Sequence, residues 1–137
     1  MSWREKLRRS VAGAAIVEFA LLAPVFLALL FGVVEFCRIM WVRQVVAEAA
    51  FNSARCASMG LAQCQSAANI QAYAVARAAK SGVRITTSEV TPTLSTACNG
   101  HTANRVAIAH RISSPVVRFI PSVPTTLLSQ ACFPVTA

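Results

Sequence analysis

Cysteine and histidine are the residues of this chain that offer the widest choice of chemistry. Among 137 residues there are five cysteines and two histidines, but no aspartate and only five glutamates. Cys98 and His101 have the spacing of one half of a zinc site, yet no convincing second half exists elsewhere in the sequence. No serine lies in a G-x-S-x-G setting, and no phosphate-binding loop is present. We therefore predict no metal, no cofactor and no enzymatic activity.

Four of the cysteines lie well beyond the apolar N-terminal part of the chain, and four cysteines allow three pairings. Their order favours Cys56–Cys64, which ties the end of a helix to the next loop, and Cys98–Cys132, which ties a turn to the tail. Disulfides are favoured over reduced core thiols, with zinc as a third alternative, because so small a domain benefits from cross-links. Cys37 is the odd thiol and is either apolar filler or a link between subunits.

Glu18 interrupts the longest apolar run of the sequence. The run from Val11 to Val34 has 24 residues, enough to cross a bilayer core of about 30 Å. A carboxylate inside such a span costs about 2.5–3.5 kcal/mol. A cleaved signal peptide would have a shorter apolar region and end in an A-x-A-like site, but "GVVEFCRIMW" follows instead. We predict that the span stays in the protein as an anchor.

The charge distribution predicts the orientation of that anchor. The formal net charge is +8, and four basic residues against Glu5 place +3 in the first 13 residues. A basic segment before an apolar run favours a cytoplasmic N-terminus and a C-terminal domain on the far side of the membrane. The other basic residues are scattered singly and Tyr73 is the only tyrosine, so we predict no nucleic-acid binding.

Small residues before the span place Glu18 in a recognisable position. If the chain is cut after Gly13, Ala14 becomes the new N-terminus and Glu18 its fifth residue. A basic leader, a glycine, a cut and an apolar helix with glutamate at position five form the layout of type IV prepilins. The stretch "GAAIVEFALLAPVFLALLFGVVEFCR", with Pro24 inside it, resembles the TadE/TadF pseudopilins of the Tad (Flp) pilus system. The resemblance is specific over residues 9 to about 57.

The resemblance implies a function and a set of partners. It implies a minor pseudopilin that a prepilin peptidase cuts between Gly13 and Ala14 and that helps initiate or assemble a pilus for surface adherence. The implied partners are that peptidase, other minor pseudopilins, the major Flp-type pilin, the inner-membrane assembly platform and the lipid bilayer. The implied location is the bacterial inner membrane, with the C-terminal domain periplasmic or carried into the pilus. The alternative is an uncleaved, membrane-anchored binding module or assembly factor.

Individual residues receive roles from the same resemblance. Glu18 meets the N-terminal amine of a neighbouring subunit or is recognised by the peptidase; the alternative is that it reaches the headgroups. Pro24 softens the helix so that the subunit can leave the bilayer, or is simply a tolerated membrane proline. The end of the apolar run, and not the resemblance, places Trp41 at the membrane boundary with Glu35 and Arg38. There Trp41 either joins the aromatic belt or enters the core.

Periodicity predicts the rest of the architecture. A long helix over 14–59, about 70 Å in length, is membrane-embedded to about residue 34 and carries an apolar stripe beyond it. A second helix is expected from Ser66 to Lys80. Period-two patterns then predict strands at 83–91 and 104–112, joined by a loose hairpin that contains Pro92 and "CNGHT". Short strands are expected at "VVRFI", 116–120, and around "SQACFPV", with prolines 115, 121 and 124 as separators.

The fold class is therefore α+β: a long helix, a second helix and a small antiparallel sheet with two disulfides. The resemblance implies that this fold is pilin-like. The predicted division is a cleaved leader over 1–13, the long helix over 14–59 and an extracytoplasmic domain over 60–137. His110 is expected to face inward on its strand as a hydrogen-bonded core residue, and His101 to be exposed in the turn.

Overall fold

The computed structural model describes residues 11–115 and 125–135, with side chains from Gly13 onward. The elements in this part of the chain are α1 (Val11–Ser58), a 3-10 turn (Ala62–Cys64), α2 (Ala67–Lys80), a second 3-10 turn (Thr87–Glu89), β1 (Val90–Cys98), β2 (His101–Arg111) and β3 (Thr126–Pro134). The predicted α+β class, with a long N-terminal helix, a second helix, an antiparallel sheet and two disulfides, is confirmed.

The chain forms two compact units. The first ends at Cys37, and the second, which we call the head unit, begins at Arg38 and contains everything after it. The C-terminal part of α1 thus belongs to the same unit as α2 and the sheet.

Glycines in the left-handed region end both helices. Gly60 follows α1 with a φ of +61°, and its N–H donates to the Ala57 carbonyl at 3.3 Å. The N–H of Leu61 donates to the Cys56 carbonyl at 3.4 Å, which completes a Schellman arrangement. Gly82 ends α2 in the same way, with a φ of +78°. Residues with a Cβ rarely adopt this backbone conformation, so the two glycines set where the helices stop.

The second helix starts where the sequence predicts. The Ser66 side chain accepts a hydrogen bond from the Asn69 N–H at 3.2 Å and so caps the N-terminus of α2. Arg77 and Lys80 lie in its last turn, where basic side chains interact favourably with the helix dipole.

The core of the head unit is built from alanine and β-branched residues. Five alanines of its helical segments are fully buried: Ala49, Ala50, Ala54, Ala74 and Ala78. Alanine side chains let backbones approach closely, and Ile, Val and Phe side chains from the sheet and its flanks fill the remaining volume. The buried and partly buried members from the sheet side are Val83, Ile85, Val90, Val106, Ile108, Ala131 and Phe133.

The sheet is an antiparallel meander in the order β1-β2-β3. The β1–β2 connection is the two-residue turn Asn99-Gly100, whose φ angles of 51° and 82° suit the type I′ turns of tight hairpins. The predicted loose hairpin is therefore wrong: the turn is tight, and Pro92 lies inside β1 rather than in the connection. The expected strands at 104–112 and around "SQACFPV" are present as β2 and β3.

The predicted strand over 83–91 is also wrong. Residues 83–86 have no regular structure, a 3-10 turn follows, and β1 begins only at Val90. The cause is a capping box, in which the Glu89 carboxylate accepts from the Thr86 N–H at 2.7 Å and the Thr86 side chain accepts from the Glu89 N–H. This pattern closes a local turn, which prevents the segment from continuing as a strand.

Pro92 is accommodated because β1 is an edge strand of the described sheet. An interior strand is hydrogen-bonded to a neighbouring strand on each side, and proline has no N–H to donate to either. An edge strand such as β1 has one open side. A register irregularity between Thr93 and Thr96, with Ser95 at a φ of 51°, interrupts the same strand. Bulges of this kind bend a strand and increase its twist, which discourages pairing at an open edge.

Two predicted features lie outside the described residues. They are most of the leader over 1–13, and the strand at 116–120 together with Pro121 and Pro124. On either side of the latter segment, the Ile112 N–H donates to the Thr125 carbonyl at 2.9 Å, which closes the connection between β2 and β3.

Candidate assembly segment and membrane boundary

The first part of α1 is apolar and uncovered. Large apolar side chains between Ile16 and Phe36 are 43–72% exposed, and none of residues 13–37 is buried. The best 18-residue window of the helix has a mean hydropathy of 2.5. By length and composition, this one helix of the described residues could cross a membrane. So much exposed apolar surface is unstable in water, so lipid or other helices must cover it.

Glu18 lies within this uncovered surface. Its side chain is exposed on α1, one helical turn beyond Ala14, and Ile16, Val17 and Phe19 around it are 60–72% exposed. The structure shows no partner for its carboxylate among the residues it describes. A carboxylate in an apolar medium is costly unless another group compensates its charge.

Pro24 lies inside α1, and the helix continues through it. Because proline has no N–H, the carbonyl of Ala20 loses its ordinary helical donor at this point. The proline side chain is exposed, like those of Leu22 and Val25 near it. The segment therefore contains one missing backbone hydrogen bond close to the acidic residue.

The predicted boundary residues occupy successive turns of α1. Glu35 is partly exposed in the first unit, and Cys37, also exposed, is a free thiol. In the head unit, an Arg38 guanidinium nitrogen donates to the Ser113 carbonyl at 2.8 Å. Trp41 donates from Nε1 to the Ser81 carbonyl at 3.3 Å, while 59% of its surface is exposed. The core position considered for Trp41 is therefore wrong, and its position at a membrane interface stays a prediction.

Both disulfides lie in the head unit. Cys56–Cys64 joins the last turn of α1 to the following 3-10 turn, with Cα atoms 5.8 Å apart. Cys98–Cys132 joins the end of β1 to β3, with Cα atoms 6.4 Å apart. Since β2 lies between those strands, this bridge connects the two edges of the sheet. Cys98 is thereby unavailable as a thiolate ligand next to His101, and no group of three or more metal-binding side chains occurs among the described residues.

His110 is held by a partner that the sequence analysis did not single out. Its Nδ1 lies 3.0 Å from Glu89 Oε1, and the Arg111 N–H donates to the same oxygen at 3.4 Å. Burial raises the pKa of Glu89, but hydrogen bonds from the Thr86 N–H, His110, the Arg111 N–H and the Thr86 hydroxyl outweigh it and leave that pKa below its ordinary 4.5. The signal for this site was Thr86-x-x-Glu89, a capping-box spacing. His101 is exposed, as expected.

Glu89→Gln is expected to lower the free energy of unfolding by about 1–3 kcal/mol at neutral pH. Because the pKa is lower in the folded state, the stabilisation is present above the ordinary value of 4.5 and is lost as pH falls through the folded value. The variant should therefore lose part of the acid sensitivity of the parent chain. Urea unfolding in detergent micelles at neutral pH and in mild acid measures both effects.

Glu48→Gln is the matched control for that experiment. Glu48 pairs with Arg77 at 2.9 Å, but their side chains are 47% and 40% exposed. An exposed pair contributes about 0–1 kcal/mol, so this variant should keep the acid dependence of the parent. An unchanged acid profile in Glu89→Gln would contradict the role of the Glu89 cluster.

Comparison with known proteins identifies the N-terminal part of the chain. A family model described as TadE-like protein matches residues 13–55. This segment is TadE-like. The match covers Gly13, Glu18, Pro24, Arg38 and Trp41, and its last residue lies just before Cys56. Comparisons with curated proteins and with solved structures give no match. The match supports a protein associated with the Tad pilus, and its residues lie within the helix that could cross a membrane.

Proposed function

We propose that this chain is a minor pseudopilin of a Tad pilus. It is inserted in the inner membrane by α1, with the head unit on the periplasmic side. A prepilin peptidase cuts it between Gly13 and Ala14, and the processed subunit takes part in initiating or assembling the pilus. In this proposal the chain is a substrate of the peptidase and not itself a catalyst. Its partners are the peptidase, other minor pseudopilins, the major pilin and the assembly platform.

The observation that carries the proposal is the uncovered helix of the TadE-like segment. Its large apolar side chains are 43–72% exposed over 16–36, on a helix that also presents a carboxylate. A permanent single anchor has no use for Glu18, which costs about 2.5–3.5 kcal/mol inside a span. In a subunit that packs against identical or related helices, Glu18 has a use, because a neighbour's N-terminal amine can compensate its charge after cleavage.

The test is the intact mass of the protein produced together with its native prepilin peptidase. Loss of residues 1–13 is expected. Gly13→Val should block the cut, because a branched side chain would stand at the bond to be broken. The processed fraction is therefore expected to fall to the background level, and the uncut chain should accumulate in the membrane.

Gly32→Ala is the matched control, since a Cβ at Gly32 meets no atom within 4 Å. This variant should be cut like the parent chain. Full retention of the leader in the parent would overturn the pseudopilin proposal and favour the uncleaved anchored module.

A further inference from the structure

Two element ends of the head unit lie near its first residues. Trp41 Nε1 donates to the Ser81 carbonyl, which places the end of α2 beside the first turns of this unit. Arg38 donates to the Ser113 carbonyl, which brings the end of β2 to the same region. These bonds join residues that are 40 and 75 positions apart in the chain, so the arrangement is a product of the fold.

Exposed basic residues flank these two ends along the chain. Lys80 precedes Ser81, Arg84 follows it by three residues, and Arg111 precedes Ser113 by two. All three side chains are exposed, as are those of Arg38 and Trp41. We call these residues the basic rim: Arg38, Trp41, Lys80, Arg84 and Arg111.

The acidic residues of the head unit do not neutralise this rim. Glu89 is nearest to Arg111, but its carboxylate already binds Thr86, His110 and the Arg111 N–H. Glu48 is engaged by Arg77. These are the two acidic residues after Arg38 in the whole sequence, against eight basic ones. The rim therefore presents an excess of positive charge.

The covalent chain fixes where the rim can be. Val34 ends the apolar run, and four residues of chain reach at most about 14 Å, so Arg38 cannot leave the surface of a membrane that α1 spans. The hydrogen bonds from Trp41 to Ser81 and from Arg38 to Ser113 hold the segments that carry the other rim residues near Arg38. Trp41 has the amphipathic ring that favours this depth, with a bonded N–H and an exposed apolar body.

We propose that the basic rim docks the head unit on anionic phospholipid headgroups of the membrane that the anchor crosses. Lys80, Arg84 and Arg111 supply the charge, and Trp41 supplies the interfacial anchor. Docking holds the subunit against the bilayer until it is extracted. This inference rests on the proposed membrane insertion, but it does not depend on the peptidase cut.

The experiment uses the full chain with Trp3→Phe, so that Trp41 is its single tryptophan. It is reconstituted in nanodiscs of phosphatidylcholine alone or mixed with phosphatidylglycerol, and acrylamide quenching of Trp41 is measured. Phosphatidylglycerol should protect Trp41 at low salt, and high salt should remove the protection. Lys80→Gln with Arg84→Gln should weaken docking by about 30-fold, as expected for two charges at an anionic surface.

Arg55→Gln with Arg77→Gln is the matched control, because it removes two charges outside the rim. Arg55 is exposed, and Arg77 is partly exposed and paired with Glu48. It should keep the protection by phosphatidylglycerol. Equal quenching of the parent chain in both kinds of disc, or equal loss in both double variants, would overturn the inference. Resistance to carbonate extraction measures membrane insertion separately. If the chain is inserted and processed but the quenching of Trp41 does not depend on phosphatidylglycerol, only the docking inference is contradicted.

Discussion

Glu18→Ala is expected to keep the chain out of pili while leaving it inserted in the membrane. The carboxylate is exposed within an apolar surface, and in the proposed assembly its partner is the N-terminal amine of a neighbouring subunit. Removing one member of a desolvated charge pair costs about 3–5 kcal/mol, because the other charge is left uncompensated. Incorporation should therefore fall by about a hundredfold or more.

The measurement is the amount of the subunit in sheared pili relative to the amount in the membrane. Insertion should not suffer, since alanine removes the cost of about 2.5–3.5 kcal/mol that a carboxylate imposes on a span. The intact mass of the membrane fraction then separates two roles. A processed but unincorporated subunit supports pairing, whereas an unprocessed one assigns Glu18 to recognition by the peptidase.

Glu35→Ala is the matched control, because it removes a second glutamate of α1 at the end of the apolar run rather than inside it. It should reduce incorporation much less than Glu18→Ala. Wild-type incorporation of the Glu18 variant would remove the pairing role, even if the leader is still cut.

The helices could be predicted from the sequence because their signals are local. Gly60 and Gly82 mark both C-termini, and Ser66 marks the start of α2. Each of these residues acts through its own backbone conformation or through a side chain that reaches three residues along the chain. The tight turn at Asn99-Gly100 has the same local character, although the sequence analysis placed it in a longer connection.

The first strand was misplaced because two local patterns compete in one segment. Alternation over 83–91 is typical of a strand, and Val83 and Ile85 are indeed buried. Thr86 and Glu89, however, have the spacing of a capping box, and the hydrogen bonds of that box win over extension. Pro92, which the sequence pattern places in the connection, lies in β1, because proline is excluded from interior strands but not from edge strands. The position of a strand in the sheet decides whether it can contain a proline, and tertiary structure sets that position.

The contacts of the basic rim could not be predicted from the sequence at all. Trp41 was assigned to the boundary by its distance from the apolar run, but nothing local links it to Ser81 or links Arg38 to Ser113. Lys80, Arg84 and Arg111 are isolated basic residues in the sequence. Folding brings the ends of α2 and β2, next to which they lie, to the first residues of the head unit. Scattered charge in a sequence is therefore weak evidence against a charged surface.

Removing Cys98–Cys132 is expected to destabilise the head unit more than removing Cys56–Cys64. The bridges close segments with sequence separations of 34 and 8 residues. In the chain-entropy model, these lengths correspond to about 4 and about 2.5 kcal/mol. The difference should be reinforced by topology, because β3 pairs only with β2 among the described strands and Cys132 adds its one covalent tie to β1.

Paired Cys→Ser variants, unfolded by urea in detergent micelles, test this order. Cys37→Ser is the matched control and should change the free energy of unfolding little, since its thiol is exposed and free. Equal losses in the two paired variants would show that local strain or residual structure, and not loop closure, governs both bridges. A greater loss at Cys56–Cys64 would place the critical link at the end of α1, where the TadE-like segment joins the rest of the head unit.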